Sequence, residues 1–242
     1  MTRPPWSSGR TATVCPVDRG SGSSDDRREG GRDGTGGEAD EAEARLARLP
    51  PPRQVSARDG TPLVIRPLLA TDREQLARGY DALSEESRRR RFFSPPARLS
   101  GALLDYLTEL DFDRHVALVA ELPDQPDEPG LGVARWIRDR DDPTRAEAAV
   151  TVADRWQGRG IGTQLLIALV EAAAERGITT FVATVLWENT ALLDTLGQLG
   201  ARVWAAEPGV ATVEFDLPAS SDELAGTALH WLMVASATAT SS

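Results

Sequence analysis

Hydrophobic positions are unevenly distributed along this chain of 242 residues. Residues 1–54 are dominated by Gly, Ser, Asp, Arg and Pro, with few large apolar side chains. Such a segment buries too little surface to offset its chain entropy, so it reads as a disordered arm. Residues 38–49 have the composition of a short charged helix, which Pro50, Pro51 and Pro52 stop. Regular apolar patterning sets in near Val55 and runs to Pro218, and residues 55–218 are the predicted folded domain. The Ala/Ser/Thr-rich residues 219–242 read as a flexible tail. No internal repeat is visible.

Within the domain the apolar period switches between two and 3.6. Residues 62–68 predict a first strand, and Thr71 and Asp72 can cap a helix that reaches Leu83. Ser84 starts a second helix ending near Phe93, and residues 99–107 make a third. Residues 115–122 and 131–137 read as buried strands joined by an acidic, proline-bearing turn. Residues 146–153 form a central strand. The helix predicted over 160–176 places Ile161, Leu165, Leu166, Leu169, Ala172 and Ala173 on one face, and Gly177 terminates it. A strand over 179–186, a helix over 190–199 and a hairpin of 202–205 with 210–217 complete the domain. The predicted class is α/β (α+β): a mixed, mostly antiparallel sheet of six to seven strands with helices on both faces.

Composition then removes several classes of function. A formal net charge of -10 makes phosphate-backbone binding unfavourable, so no nucleic-acid partner is expected. Cys15 is the single cysteine, and His115 and His230 are the two histidines, so an intrachain disulfide is excluded and no metal site is expected. Every basic side chain is Arg; without a Lys, a Walker-type phosphate loop is excluded. The N-terminus shows no signal pattern, and no apolar run, including 229–237, reaches membrane-spanning length. The expectation is a cytoplasmic monomer or homodimer without a membrane partner.

The most informative stretch runs from Val150 to Thr163. A strand ends, and a loop with glycines at 158, 160 and 162 opens directly into an amphipathic helix. Glycines allow close backbone approach and turn N–H groups inward, while a helix N-terminus adds free donors and partial positive charge. A phosphate or diphosphate is the natural guest. A dinucleotide fingerprint fits poorly, because its glycines are spaced Gly-x-Gly-x-x-Gly tight against the strand.

Gln157-Gly158-Arg159-Gly160-Ile161-Gly162 resembles the (Arg/Gln)-x-x-Gly-x-(Gly/Ala) signature of the GNAT superfamily of N-acetyltransferases. The resemblance covers roughly residues 62–218 and agrees with the strand order, with Asn189 after the next strand and with Leu199-Gly200 at the end of the following helix. It implies an acetyl-CoA-dependent enzyme whose loop cradles the coenzyme A diphosphate. The implied cofactor-binding set is Val150, Thr151, Val152, Gln157, Gly158, Arg159, Gly160, Ile161, Gly162, Thr163 and Asn189. Main-chain groups of Val150 and Val152 would hold the pantetheine arm between two splayed strands, although both valine side chains also suit a plain core. A narrower resemblance, to bacterial protein-lysine acetyltransferases, is carried by Leu83-Ser-Glu-Glu-Ser87, Arg91-Phe-Phe93, His115-Val-Ala-Leu-Val119, Ala146-Glu147 and Trp156–Gly160. Some of those relatives carry a regulatory domain, for which this chain has no room. An enzyme of this composition also cannot be silenced by acetylating its own lysines.

By the same resemblance Glu147 is the general base; the competing reading is a solvated strand carboxylate paired with Arg145 or Arg135. The position where many family members carry a tyrosine acid is Leu196 here, so a water serves or the thiolate leaves unassisted. Arg88–Arg91 form a solvated helix face or meet an anionic ligand, and His115 reads as structural. Trp136 and Trp187 suit either packing or the wall of an acceptor pocket. The favoured acceptor is a protein lysine. The alternatives are a small-molecule amine, or a non-catalytic acyl-CoA-binding sensor.

Overall fold

The computed structural model describes residues 43–125, 127–198 and 200–218. The arm of residues 1–42, the tail of 219–242, and with them Cys15 and His230, lie outside the described residues. After a helical turn over 43–47, the chain enters β1 (Arg53–Ser56) and β2 (Pro62–Pro67). Three short helices follow: α1 (Arg73–Asp81), α2 (Glu85–Phe92) and α3 (Gly101–Thr108). The strands β3 (His115–Glu121), β4 (Gly132–Arg138) and β5 (Arg145–Val152) then lead into the long helix α4 (Ile161–Ala174). The chain closes with β6 (Thr180–Leu186), α5 (Thr190–Gln198), β7 (Arg202–Glu207) and β8 (Val210–Asp216).

The eight strands form one sheet in the order β1-β2-β3-β4-β5-β6-β8-β7, antiparallel throughout except for the β5–β6 pair. The predicted architecture therefore holds with one more strand than expected. The extra strand is β1, whose sequence Arg-Gln-Val-Ser offers a single apolar residue and whose pairing with β2 supplies the rest. Helix boundaries follow local capping. Ser84 and Ser100 accept the N–H groups of Ser87 and Leu103, starting α2 and α3. Gly177, at φ 71°, ends α4 as the Ile178 N–H returns to the Ala173 carbonyl.

Two cores share this sheet. The larger unites Leu63, Ile65, Val116, Leu118, Trp136 and the α4 face of Ile161, Leu165, Leu169 and Ala173. The smaller gathers Val185, Leu193, Leu196, Ala211 and Val213 around α5 and the β6–β8 pair. Burying each large aliphatic side chain contributes roughly 1.5–3 kcal/mol, so the larger core dominates stability. Trp136 is fully buried under the Arg138 guanidinium, 5.7 Å from its ring centre, which settles it as core and not as a pocket wall. Trp187 is exposed just past β6. No helix among the described residues is long and apolar enough to cross a membrane.

Candidate active site

The glycine loop lies between the end of β5 and the start of α4. A 3-10 turn, Asp154–Trp156, follows the strand, and Gly158 and Gly160 then take φ of 75° and 80°, conformations that a side chain resists. Gly160 is the residue before α4 and has no side chain to cap it. The first-turn N–H groups of Ile161, Gly162 and Thr163 are therefore left for a ligand. A Cβ at Gly162 would meet Val152 at an ordinary 3.4 Å, so the protein itself accepts alanine there. Gly158, Gly160, Ile161, Gly162 and Thr163 line a cradle of about 240 Å³. Converging donors and the positive helix end suit a diphosphate.

Beside the cradle the sheet opens. β5 and β6 pair only at Arg145–Glu147 against Thr180–Val182, although both strands continue beyond. The Ala153 N–H donates to Leu131 on the β4 side. Strand alternation therefore turns the main-chain groups of Val150 and Val152 into the gap. The gap is a cleft of about 250 Å³ lined by Glu147–Val152, Asn189, Leu192 and Leu196 together with α2 side chains. Val150 remains 36% exposed here, an apolar wall suited to an apolar arm. Thr151 faces away from α4, toward a smaller apolar cavity of about 80 Å³ under α1–α3 that Arg91 and Arg135 border.

Glu147 faces the cleft from the last paired position of β5. Solvent reaches its carboxylate along the cleft, while protein surrounds it on the remaining sides. This confinement raises its pKa above the ordinary glutamate value, and the Arg91 guanidinium pulls in the opposite direction. The two arginines of the competing ion-pair reading have other partners among the described residues. Arg145 bonds Glu214, and Arg135 meets His115 Nε2 at 3.1 Å and the Leu107 carbonyl. His115 is buried; its burial and the neighbouring Arg135 depress its pKa to about 3, so the ring is neutral at pH 7. It sits beside Tyr106, outside the cleft, as a structural histidine.

The remaining expected site residues divide by role. Gln157 donates from Nε2 to Ser87 Oγ and to the Val152 carbonyl, both at 3.1 Å, tying α2 to the end of β5. Arg159 turns to Asp59 (3.0 Å) and covers the Trp156 ring, and its side chain does not line the cradle. Asp154, which the signature does not mark, accepts from the Ser84 N–H and from the hydroxyls of Ser84 and Ser87. The two serines of Leu83-Ser-Glu-Glu-Ser87 thus clamp α2 onto the turn that leads into the glycine loop. In the arginine run, Arg88 bonds the carbonyls of Tyr80 and Asp81, and Arg89 pairs with Glu86 and with Glu188. Arg90 pairs with Glu86, and both Arg90 and Arg91 line the cleft. Leu196 is buried beside the cleft, and neither Tyr80 nor Tyr106 lines it. Asn189 lines the far wall and Leu199 lies outside the described residues. Among the described residues no group of three or more His, Cys, Asp and Glu side chains is placed to hold a metal ion.

Comparison with known proteins agrees with this geometry. The family described as acetyltransferase (GNAT) domain matches residues 62–202. Acetyltransferase Pat of Mycolicibacterium smegmatis is 39% identical over 180 residues, covering 73% of this chain and 52% of that protein. The chain thus spans about half the length of that relative. The crystal structure of the GNAT domain of S. lividans PAT superposes with a TM-score of 0.63 at 33% identity, covering 69% of this chain and 97% of that one. A cAMP-binding acyltransferase from Mycobacterium smegmatis gives a TM-score of 0.52 at 30% identity, covering 83% of this chain and 57% of that one. A family signature through more than half the sequence, folded into a glycine cradle beside two splayed strands, places this chain in the GNAT acetyltransferase family.

Proposed function

We propose that the chain is an acetyl-CoA-dependent N-acetyltransferase whose favoured acceptor is a protein lysine, acting in the cytoplasm. The observation that carries this reading is the continuity of three features: the glycine cradle, the open edge of β5, and Glu147 at the foot of the same cleft. The cradle donors would hold the diphosphate, and the main-chain groups of Val150 with the Val152 N–H would hold the pantetheine arm as an added strand, the Val152 carbonyl being taken by Gln157. A lysine ammonium has a pKa near 10.4, so presenting it neutral at pH 7 costs roughly 4–5 kcal/mol. Glu147 offsets that cost by taking the proton, directly or through a water, as the nitrogen bonds the thioester carbonyl carbon. A main-chain N–H on the β5 edge stabilises the oxyanion, the C–S bond then breaks, and the sulfur leaves as thiolate with its electron pair. A thiolate needs no side-chain acid to leave, consistent with Leu196 in the cleft wall.

Protein lysine is favoured over a small amine because the narrower resemblance is to bacterial protein-lysine acetyltransferases, and the chain is 39% identical over 180 residues to acetyltransferase Pat. Calorimetric titration of the full chain with acetyl-CoA, with NAD as control, should give saturable micromolar binding to acetyl-CoA alone. Acetyl transfer should then appear on lysine-bearing proteins. Absence of binding removes the enzyme reading. Binding without turnover on any amine leaves a sensor in its place, and transfer only to free small amines overturns the lysine assignment.

A further inference from the structure

The signature places one cation, Arg159, in the glycine loop, but its side chain is engaged with Asp59 and Trp156. A second arginine, Arg58, borders the cradle. Arg58, on the turn between β1 and β2, donates its main-chain N–H to the Arg159 carbonyl at 2.8 Å, fastening that turn to the loop. Its side chain lies across Gly160: a Cβ there would stand 2.9 Å from Arg58 Cγ and 3.2 Å from Nε. Arg58 lines the cradle alongside Gly158, Gly160, Gly162 and Thr163. Its side chain is exposed and, among the described residues, makes no ion pair or hydrogen bond, while its neighbour Asp59 is occupied by Thr61 and Arg159. An otherwise uncommitted guanidinium is thus held by its own backbone over the N-terminus of a fourteen-residue helix.

We infer that Arg58 is a cofactor-binding residue that closes the glycine cradle over the diphosphate of coenzyme A, supplying the charge that Arg159 does not. The inference rests on the reading of the cradle as the diphosphate site. A guanidinium presents paired donors matched to phosphate oxygens, and its charge complements the neutral main-chain donors of α4. Gly160 is then required twice, for its backbone conformation and for the passage of the arginine stem across it. The diphosphate is assigned in preference to the 3′-phosphate because the stem crosses the loop at Gly160, directly before the free N–H groups of Ile161, Gly162 and Thr163.

The test is a calorimetric titration of the full chain, wild type, Arg58→Ala and Arg58→Lys, with coenzyme A and with dephospho-coenzyme A. Thermal melts should first show that both variants fold, since Arg58 is exposed on a turn. Arg58→Ala should weaken both ligands by about 10- to 100-fold, and Arg58→Lys, which keeps a charge but not the fork, by less. The affinity of Arg58→Ala should also respond less to added salt. Equal affinity in wild type and Arg58→Ala overturns the inference while leaving the cofactor reading intact. A loss confined to coenzyme A overturns it too, by moving Arg58 to the 3′-phosphate. Wild type that binds neither ligand removes the cofactor reading, and this inference with it.

Discussion

Glu147 is held between two opposing influences, the confinement of the cleft and the charge of Arg91, and confinement prevails. The sign for catalysis follows. A general base works ionised, and a raised pKa means that protonation begins at pH values where an ordinary glutamate is fully charged. Turnover should therefore fall as pH drops through that raised value, giving an acid limb above the usual glutamate range. Glu147→Gln should lower kcat about 10²- to 10⁴-fold, abolish that limb and leave acetyl-CoA affinity nearly unchanged. A pH–rate profile of the variant that keeps the wild-type limb would remove Glu147 from the reaction. The place of this residue on β5 was legible in the sequence, a few residues before a recognisable loop, while the role proposed for it comes from the family resemblance. Arg58 and Asp154 were not legible. Each acts on a segment distant in sequence, Arg58 on Gly160 and Asp154 on Ser84 and Ser87, and no local pattern encodes that apposition.

At the scale of elements, α2 shows how a helix without a buried residue is kept in place. Its acidic first turn and arginine-rich last turn complement the helix dipole, and Glu86–Arg90 adds an i,i+4 pair. Its position, however, comes from Asp154. Partial burial pushes the Asp154 pKa up, but the hydrogen bonds from Ser87 and Ser84 outweigh it and hold the group below its ordinary value. A depressed folded pKa contributes stability above the unfolded value of 3.8, lost as pH falls through the folded one. Asp154→Ala should cost about 1 kcal/mol near neutral pH, discounted for an exposed site, with faster amide exchange concentrated in α2. Exchange in α2 unchanged from wild type would mean that its packing, not this clamp, positions it. Sequence patterning found both ends of α2 through Ser84 and Phe93, since capping is local. It missed β1 for the converse reason: a polar edge strand is defined by its partner β2 and not by its own alternation.

For the molecule as a whole, the decisive feature is that the two cores meet along a seam built to be incomplete. The short β5–β6 pairing, the Arg145–Glu214 bridge and Phe181, which β6 contributes to the larger core, join them, and beyond Glu147 the strands part to make the cleft. A seam paired along its full length would leave no free main-chain groups on β5 for a ligand, so binding capacity and mechanical weakness have one origin. The smaller core, with α5 and the β7–β8 hairpin, should therefore open at lower free energy than the sheet packed on α4. Ligand bound across the cleft touches both cores and stabilises the closed arrangement by RT ln(1 + [L]/Kd), about 2.7 kcal/mol at a hundredfold excess over Kd. Hydrogen exchange should accordingly show faster opening of β6–β8 and α5 than of β3, β4 and α4 in the free protein. Acetyl-CoA should then slow the former set more than the latter. Uniform exchange across both cores would show that the seam transmits full cooperativity despite its gap. In that case the parted strands would be a rigid receptacle and not the compliant joint that their pairing implies.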